Sequence, residues 1–255
     1  MCLIFFSLQD HPTYKLIVAA NRDEFYSRKT SAAGYWEDRP DVLGGRDNEA
    51  NGTWMAISKA GRIGFVTNFR DPKKMKSKAP SRGLLVADYC TNLDPPEKYL
   101  QKVESKADRY NGFNLVVGNP DELWYFSNHG IGIEKIDPGF YGLSNHLLET
   151  PWPKVQTGKE KLGPVLKSDK ISMERVFSIL YDDRIAPDEK LPDTGVGLER
   201  ERALSPIFIK TPDYGSWSST LLLVDRKNNV IFAERVYDLK TFEFTTKIFE
   251  FTLKS

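Results

Sequence analysis

Residues 2–8 (CLIFFSL) and 14–20 (YKLIVAA) are apolar at odd and even positions alike, which predicts strands buried on both faces. Between them, Gln9, Asp10, His11, Pro12 and Thr13 form a cluster of turn formers, so the pair reads as a hairpin inside a covered sheet. The pattern recurs at 53–58 and 62–67 around Lys59-Ala60-Gly61, and at 114–117 and 122–127 around Gly118-Asn119-Pro120-Asp121. β-branched and aromatic runs predict further strands at 218–224, 230–236 and 242–253. Four segments, 83–91, 95–109, 153–166 and 170–181, carry helical spacing. The stretch 182–202, rich in charge, Pro and Gly, reads as a long mobile loop. Doubly covered strands together with amphipathic helices predict an α+β fold in one domain spanning 1–255: a four-layer αββα sandwich, two antiparallel sheets between helical layers.

Composition narrows the partners. The 255 residues are 40% hydrophobic, and 36 Lys and Arg nearly balance 35 Asp and Glu, so no overall field draws the chain to nucleic acid, and no nucleic-acid partner is expected. No apolar run reaches the roughly 20 residues of a membrane span, and residues 1–7 lack the basic start of a secretory leader; a cytoplasmic protein is expected. Two cysteines, Cys2 and Cys90, make no disulfide framework, and they show no ligand spacing with His11, His129 and His146, so neither a metal nor a required cofactor is expected.

Candidate chemistry begins at Cys2. Methionine aminopeptidase removes Met1 when the second residue is small, and Cys qualifies; nucleophile and base then share one residue. An α-amine titrates near ~7.7–8.0 and a thiol near ~8.5, so the amine can take the thiol proton at neutral pH. With the first turn centred near His11, antiparallel partners sum to about 22–23, which sets Cys2 opposite Ala20 or Asn21 and brings Asn21-Arg22-Asp23-Glu24 beside it. A carboxylate there can orient the α-ammonium, while Asn or Arg can hold a substrate oxygen. Asn68 and Asn145 end two strand-like runs and suit an oxyanion hole. Catalytic candidates are therefore Cys2, Asp23, Asn68 and Asn145. Substrate contacts are assigned to Asn21, Arg22 and Glu24, with Arg46 from the turn Gly44-Gly45-Arg46-Asp47 and the rings of Trp54, Trp152 and Trp217. The basic loop of Arg70, Lys73, Lys74, Lys76, Lys78 and Arg82 can meet a phosphate, carboxylate or haem propionate near the pocket mouth. Each feature also has a plainer reading: a buried small hydrophobe for Cys2, a salt-bridged turn for residues 21–24, turn residues for the two asparagines, core packing for the tryptophans and a solvated loop for the basic run.

Asn21-Arg22-Asp23-Glu24, preceded by Met1-Cys2-Leu3-Ile4-Phe5-Phe6, resembles the NRDE family, also called the Transport and Golgi organization family. The resemblance continues through Gly52-Thr53-Trp54, Thr67-Asn68-Phe69, residues 110–115 (YNGFNL), residues 143–152 (LSNHLLETPW), residues 218–225 (SSTLLLVD) and Glu250-Phe251-Thr252-Leu253, over essentially the whole chain. It implies an N-terminal-nucleophile hydrolase-like αββα fold, distantly related to choloylglycine hydrolases and penicillin V acylases, which cleave amides with an amino-terminal Cys. Their Cys falls on Cys2, their Asp on Asp23 and their two asparagines on Asn68 and Asn145. Two positions depart: the Arg three residues before that Asp is Ala20 here, and an Arg common in related sequences is Trp217. The resemblance implies a small-molecule amide as substrate, or else haem or an acyl lipid or acyl-CoA held without turnover, with His129 or His146 as candidate haem ligands.

Overall fold

The computed structural model describes residues 2–254. It opens with the hairpin of β1 (Cys2–Leu8) and β2 (Tyr14–Phe25). Four more strands follow: β3 (Thr30–Trp36), β4 (Arg39–Asp47), β5 (Met55–Ser58) and β6 (Ile63–Asn68). Helices α1 (Gly83–Thr91) and α2 (Pro96–Glu104) precede β7 (Phe113–Asn119), β8 (Glu122–Ser127), β9 (Ile133–Ile136) and β10 (Gly139–Leu143). Helices α3 (Pro153–Leu166), α4 (Met173–Leu180) and α5 (Leu198–Ala203) lead to β11 (Tyr214–Asp225), β12 (Asn229–Tyr237) and β13 (Phe244–Thr252).

The strands form two antiparallel sheets, one in the order β10-β1-β2-β11-β12-β13 and the other in chain order from β3 to β9. Because strand side chains alternate, β1 and β2 serve two cores at once. Ile4, Phe6, Leu16 and Val18 meet Ile57, Phe65 and Val116 of the opposite sheet, while Leu3, Phe5, Ile17 and Ala19 pack against Val155, Leu162, Val176 and Phe177 of α3 and α4. On the far side Val86, Tyr89 and Leu100 of α1 and α2 cover Ala56, Val66, Leu115 and Val117. The layering is αββα. Each fully buried Phe or Leu contributes about 1.5–3 kcal/mol, which explains why β1 has no polar face. Among the described residues no helix is long and apolar enough to cross a membrane.

Four details correct the sequence reading. The first hairpin pairs Leu8 with Leu16 and Cys2 with Arg22, so its turn is centred one place later than expected. The His11 ring is the reason: Nδ1 accepts from the amides of Thr13 (3.0 Å) and Tyr14 (3.1 Å), and Gln9 N–H closes onto Lys15 O at 2.7 Å. Residues 44–47 are the end of β4 rather than a turn; a side chain at Gly45 would overlap the Trp54 ring, which is why glycine stands there. The second predicted helix stops at Glu104 and a separate 3-10 turn follows at Ala107–Arg109. Finally, the stretch 182–202 contains a 3-10 turn (Asp188–Lys190) and most of α5, and is tied down: Glu201 accepts from Thr194 N (2.9 Å) and Oγ1 (2.6 Å), and Ser205 Oγ from Ala186 N (3.0 Å).

Candidate active site

Directly cross-strand residues share a face, so the Cys2–Arg22 pairing turns both side chains toward the opposite sheet. There they line a cleft of ≈ 500 Å³ together with Asp23, Glu24, Trp54 and Asn68. Cys2 is buried, and burial pushes its thiol pKa up; in this setting the sulfur keeps its proton unless a base is at hand.

Asp23 sits one residue beyond Arg22, where β2 runs beside β11, and its Oδ1 accepts from Ser216 Oγ at 2.6 Å. Burial raises its pKa; the Lys154 ammonium and the Ser216 hydrogen bond pull the other way. Lys154, on α3, is itself buried, donates to Leu204 O at 3.2 Å, and is lowered by burial to about 8, with Asp23 opposing the shift. Burial acts to raise Glu24 as well, yet the Phe25 amide (2.9 Å), Arg22 and Arg28 help to hold it below the usual carboxylate value.

Arg22 is clamped between two rings as well as ion-paired with Glu24. Its guanidinium carbon lies 4.2 Å from the Trp54 ring centroid and 5.6 Å from that of Trp217, while Glu24 is 3.8 Å away. Its Nη1 is buried with no hydrogen-bond partner among the described residues. Trp217 reaches this position because β11 bulges between Ser216 and Ser218, and it meets Trp54 edge-on at 6.4 Å. The place where the resemblance expects an Arg thus holds a ring that fixes another Arg.

Asn68 ends β6 in the cleft wall, and its side-chain amide makes no hydrogen bond to the described residues. Asn145 is not in the wall. It is fully buried behind Asn68, its Nδ2 donating to Asn68 O (3.1 Å) and its carbonyl accepting Arg70 N–H (2.7 Å). Among the expected substrate contacts, Asn21 points into the helical layer instead, donating to Leu180 O (2.7 Å) and Ile207 O (2.9 Å) and accepting from Ser219 Oγ (2.6 Å). Alternation alone sends it there: its neighbours Ala20 and Arg22 both face the opposite sheet, so Asn21 faces the helices. Arg46 stacks on Trp36 at 4.1 Å and pairs with Asp38 at 2.9 Å, both away from the cleft. Trp152 borders a different cavity.

Sequence reasoning missed Arg28, Asp47, Ser216 and Lys154, and weighed Arg82 only as one member of a basic loop near the pocket mouth. Arg28 and Asp47 close one side of the cleft through a 2.6 Å ion pair. Arg82, beside the start of α1, lines the cleft and donates to Gly112 O at 2.9 Å. Its placement depends on two glycines meeting back to back, since a Cβ on Gly52 would come within 2.5 Å of the Gly83 carbonyl carbon. Gly52 was legible in the sequence, but its mate across thirty residues was not. His129 and His146 flank the Phe69 ring, at 4.1 and 4.8 Å between centroids. Among the described residues no group of three His, Cys, Asp or Glu side chains is placed to hold a metal ion.

Comparison with known proteins gives a consistent family. The model for "Transport and Golgi organisation 2" matches residues 1–239. The mouse (Mus musculus) Transport and Golgi organization 2 homolog and its human (Homo sapiens) counterpart are each 35% identical over 277 aligned positions, covering 100% of this chain and of each relative. Among solved structures, a variant of conjugated bile acid hydrolase from Clostridium perfringens aligns with a TM-score of 0.45 and 9% identity, over 100% of this chain and 97% of its own.

Proposed function

The chain belongs to the Transport and Golgi organisation 2 family, and we propose that it is an N-terminal-nucleophile cysteine hydrolase acting on the amide of a small, largely apolar molecule. The observation that carries this reading is the convergence of Cys2, Asp23 and Asn68 on one cleft with an aromatic wall and the Arg22 side chain. Removal of Met1 exposes the α-amine of Cys2. That amine takes the thiol proton as sulfur attacks the carbonyl carbon, which matters because burial favours the protonated thiol. Asp23, fixed by Ser216, orients the resulting ammonium. The Asn68 amide donates to the tetrahedral oxyanion, and Asn145 acts through Asn68 by holding its backbone. The ammonium returns its proton to the departing amine, leaving a thioester; water attacks with the amine again as base, releasing the acid and restoring Cys2. The Arg22 side chain in the cleft wall holds a polar substrate atom while Trp54 packs on the apolar part. These steps require no cofactor.

The test is labelling by an electrophilic acyl probe, with the intact mass of the purified protein read in parallel. Labelling of the Met1-free wild type and none of Cys2→Ala is expected. Equal labelling of the two proteins, or retention of Met1, refutes the hydrolase. In that event haem or an acyl lipid held without turnover becomes the use of the cleft, read as a Soret shift or as lipid retained in native mass spectra.

A further inference from the structure

Of the cations that line the Cys2 cleft, Arg82 alone has no carboxylate partner among the described residues. Arg28 is paired with Asp47 at 2.6 Å, and Arg22 lies 3.8 Å from Glu24. The Arg82 guanidinium is held at one corner only, where Nη1 donates to Gly112 O at 2.9 Å. The same carbonyl accepts the amide of Phe69 at 2.9 Å, so the guanidinium is tied to the chain just beyond Asn68. Its Nε and Nη2 make no hydrogen bond to the described residues. The side chain is half-buried in the cleft wall, and these nitrogens are not sealed from solvent as Nη1 of Arg22 is. Together they form the side-on edge of the guanidinium, which receives a carboxylate through two parallel hydrogen bonds.

The acids of the wall are engaged elsewhere. Asp47 and Glu24 are drawn to Arg28, at 2.6 and 3.9 Å, and Asp23 accepts from Ser216. Burial lowers the Arg82 pKa, and the fields of Glu24 and Cys2 offset this only in part. A guanidinium that is partly desolvated, fixed at one corner and short of a counter-charge attracts an anion more strongly than a surface arginine does. The wall around it is apolar, with Val66, Met75, Ala79 and Pro80. One uncompensated cation matches one negative charge, so a carboxylate is neutralised there and a phosphate dianion is not. The rival occupant of the edge is water.

We propose that the substrate of this cleft is an apolar amide that also carries a carboxylate, seated side-on against Nε and Nη2 of Arg82 while Asn68 meets the oxygen of the scissile carbonyl. Arg82 then sets specificity and takes no part in bond making. The word substrate rests on the hydrolase reading above; the carboxylate seat needs only the cleft.

The probes are N-(4-bromophenylacetyl)glycine and N-(4-bromobenzyl)succinamic acid, which carry the carboxylate on opposite sides of the amide, each with its neutral primary-amide counterpart. Binding is read by calorimetry on the full chain with Cys2→Ala, so that the result does not depend on turnover. At least one acid is expected to bind about tenfold or more tightly than its counterpart, and not to be displaced by inorganic phosphate at equal concentration. Adding Arg82→Gln is expected to abolish that preference while the neutral counterpart binds as before. If this variant does not fold, crystals of Cys2→Ala soaked in the preferred acid decide: the bromine locates the apolar end by its anomalous signal, and the carboxylate is expected on Nε and Nη2. Equal binding of acid and counterpart in both pairs, an undiminished preference without Arg82, displacement by phosphate, or water alone on that edge in the soaked crystal overturns the proposal. Hydrolysis of the probes by the wild type is scored separately: binding on Arg82 without turnover refutes the hydrolase and leaves the carboxylate seat, whereas turnover of the neutral counterparts with no preference for the acids refutes the seat alone.

Discussion

Glu234 offers a sharp test of how the two sheets are joined. It lies on β12, is 1% exposed, and bridges the layers: Oε2 accepts from Ala33 N on β3 at 2.5 Å and Oε1 from Ser218 Oγ on β11 at 3.1 Å. Burial raises its pKa to about 7, against the opposing pull of those two hydrogen bonds, Arg22 and Lys247. In the unfolded chain the group titrates near its ordinary value of 4.5. Between these two values the unfolded state has lost the proton and the folded state keeps it, so the stability given by the protonated form falls as pH rises through this window and is fully lost above about 7. At 1.36 kcal/mol per unit, the change between pH 5 and pH 8 is roughly 2–3 kcal/mol. Glu234→Gln removes the titration while keeping an acceptor for Ala33 N and a donor for Ser218. Urea unfolding of both proteins at pH 5 and pH 8 reads it: the variant gains on the wild type by roughly 2–3 kcal/mol more at the higher pH. A stability difference that is the same at both pH values refutes the reasoning, and with it the buried, protonated state of this carboxyl.

Other positions give independent checks. Asn68→Ala lowers kcat on an amide substrate by about 10²–10³ with KM little changed, as expected for an oxyanion donor, whereas an effect confined to KM places it among ordinary binding contacts. Asn21→Ala leaves the buried carbonyls of Leu180 and Ile207 without their donor; it costs about 2–4 kcal/mol in denaturant unfolding without altering the rate per folded molecule. Gly158→Ala, which in an exposed helix is stabilising, here overlaps the Phe5 ring and lowers stability by about 1–3 kcal/mol, read as a drop in Tm. Trp217→Ala removes one wall of the Arg22 clamp; it raises KM for an amide carrying a polar group more than for a purely apolar one.

Much of the fold was written locally. The doubly apolar runs at 2–8 and 14–20 specify strands with both faces covered, and together with the amphipathic helices and the other hairpins they point to a second sheet on one side and helices on the other. The polar tetrad after the second run likewise marks where the buried strand opens into a site. Alternation then separates its members in a way that sequence adjacency hides. Arg22 turns toward the cleft and Asn21 toward α4, because neighbours on a strand point to opposite faces. Which of them faces Cys2 depends on a turn only one place off the expected centre, set by the His11 ring capping Thr13 and Tyr14.

Tertiary structure alone decided the rest, because the partners come from distant segments. Ser216 reaches Asp23 across 193 residues, Glu201 reaches Arg70 across 131, and Asn145 holds Asn68 across 77. No local pattern encodes such meetings. Side-chain period and turn chemistry fix what a segment becomes and which residues share a face; the packing of two sheets and their helices fixes which charges are left buried beside one another, and so where the chemistry can take place.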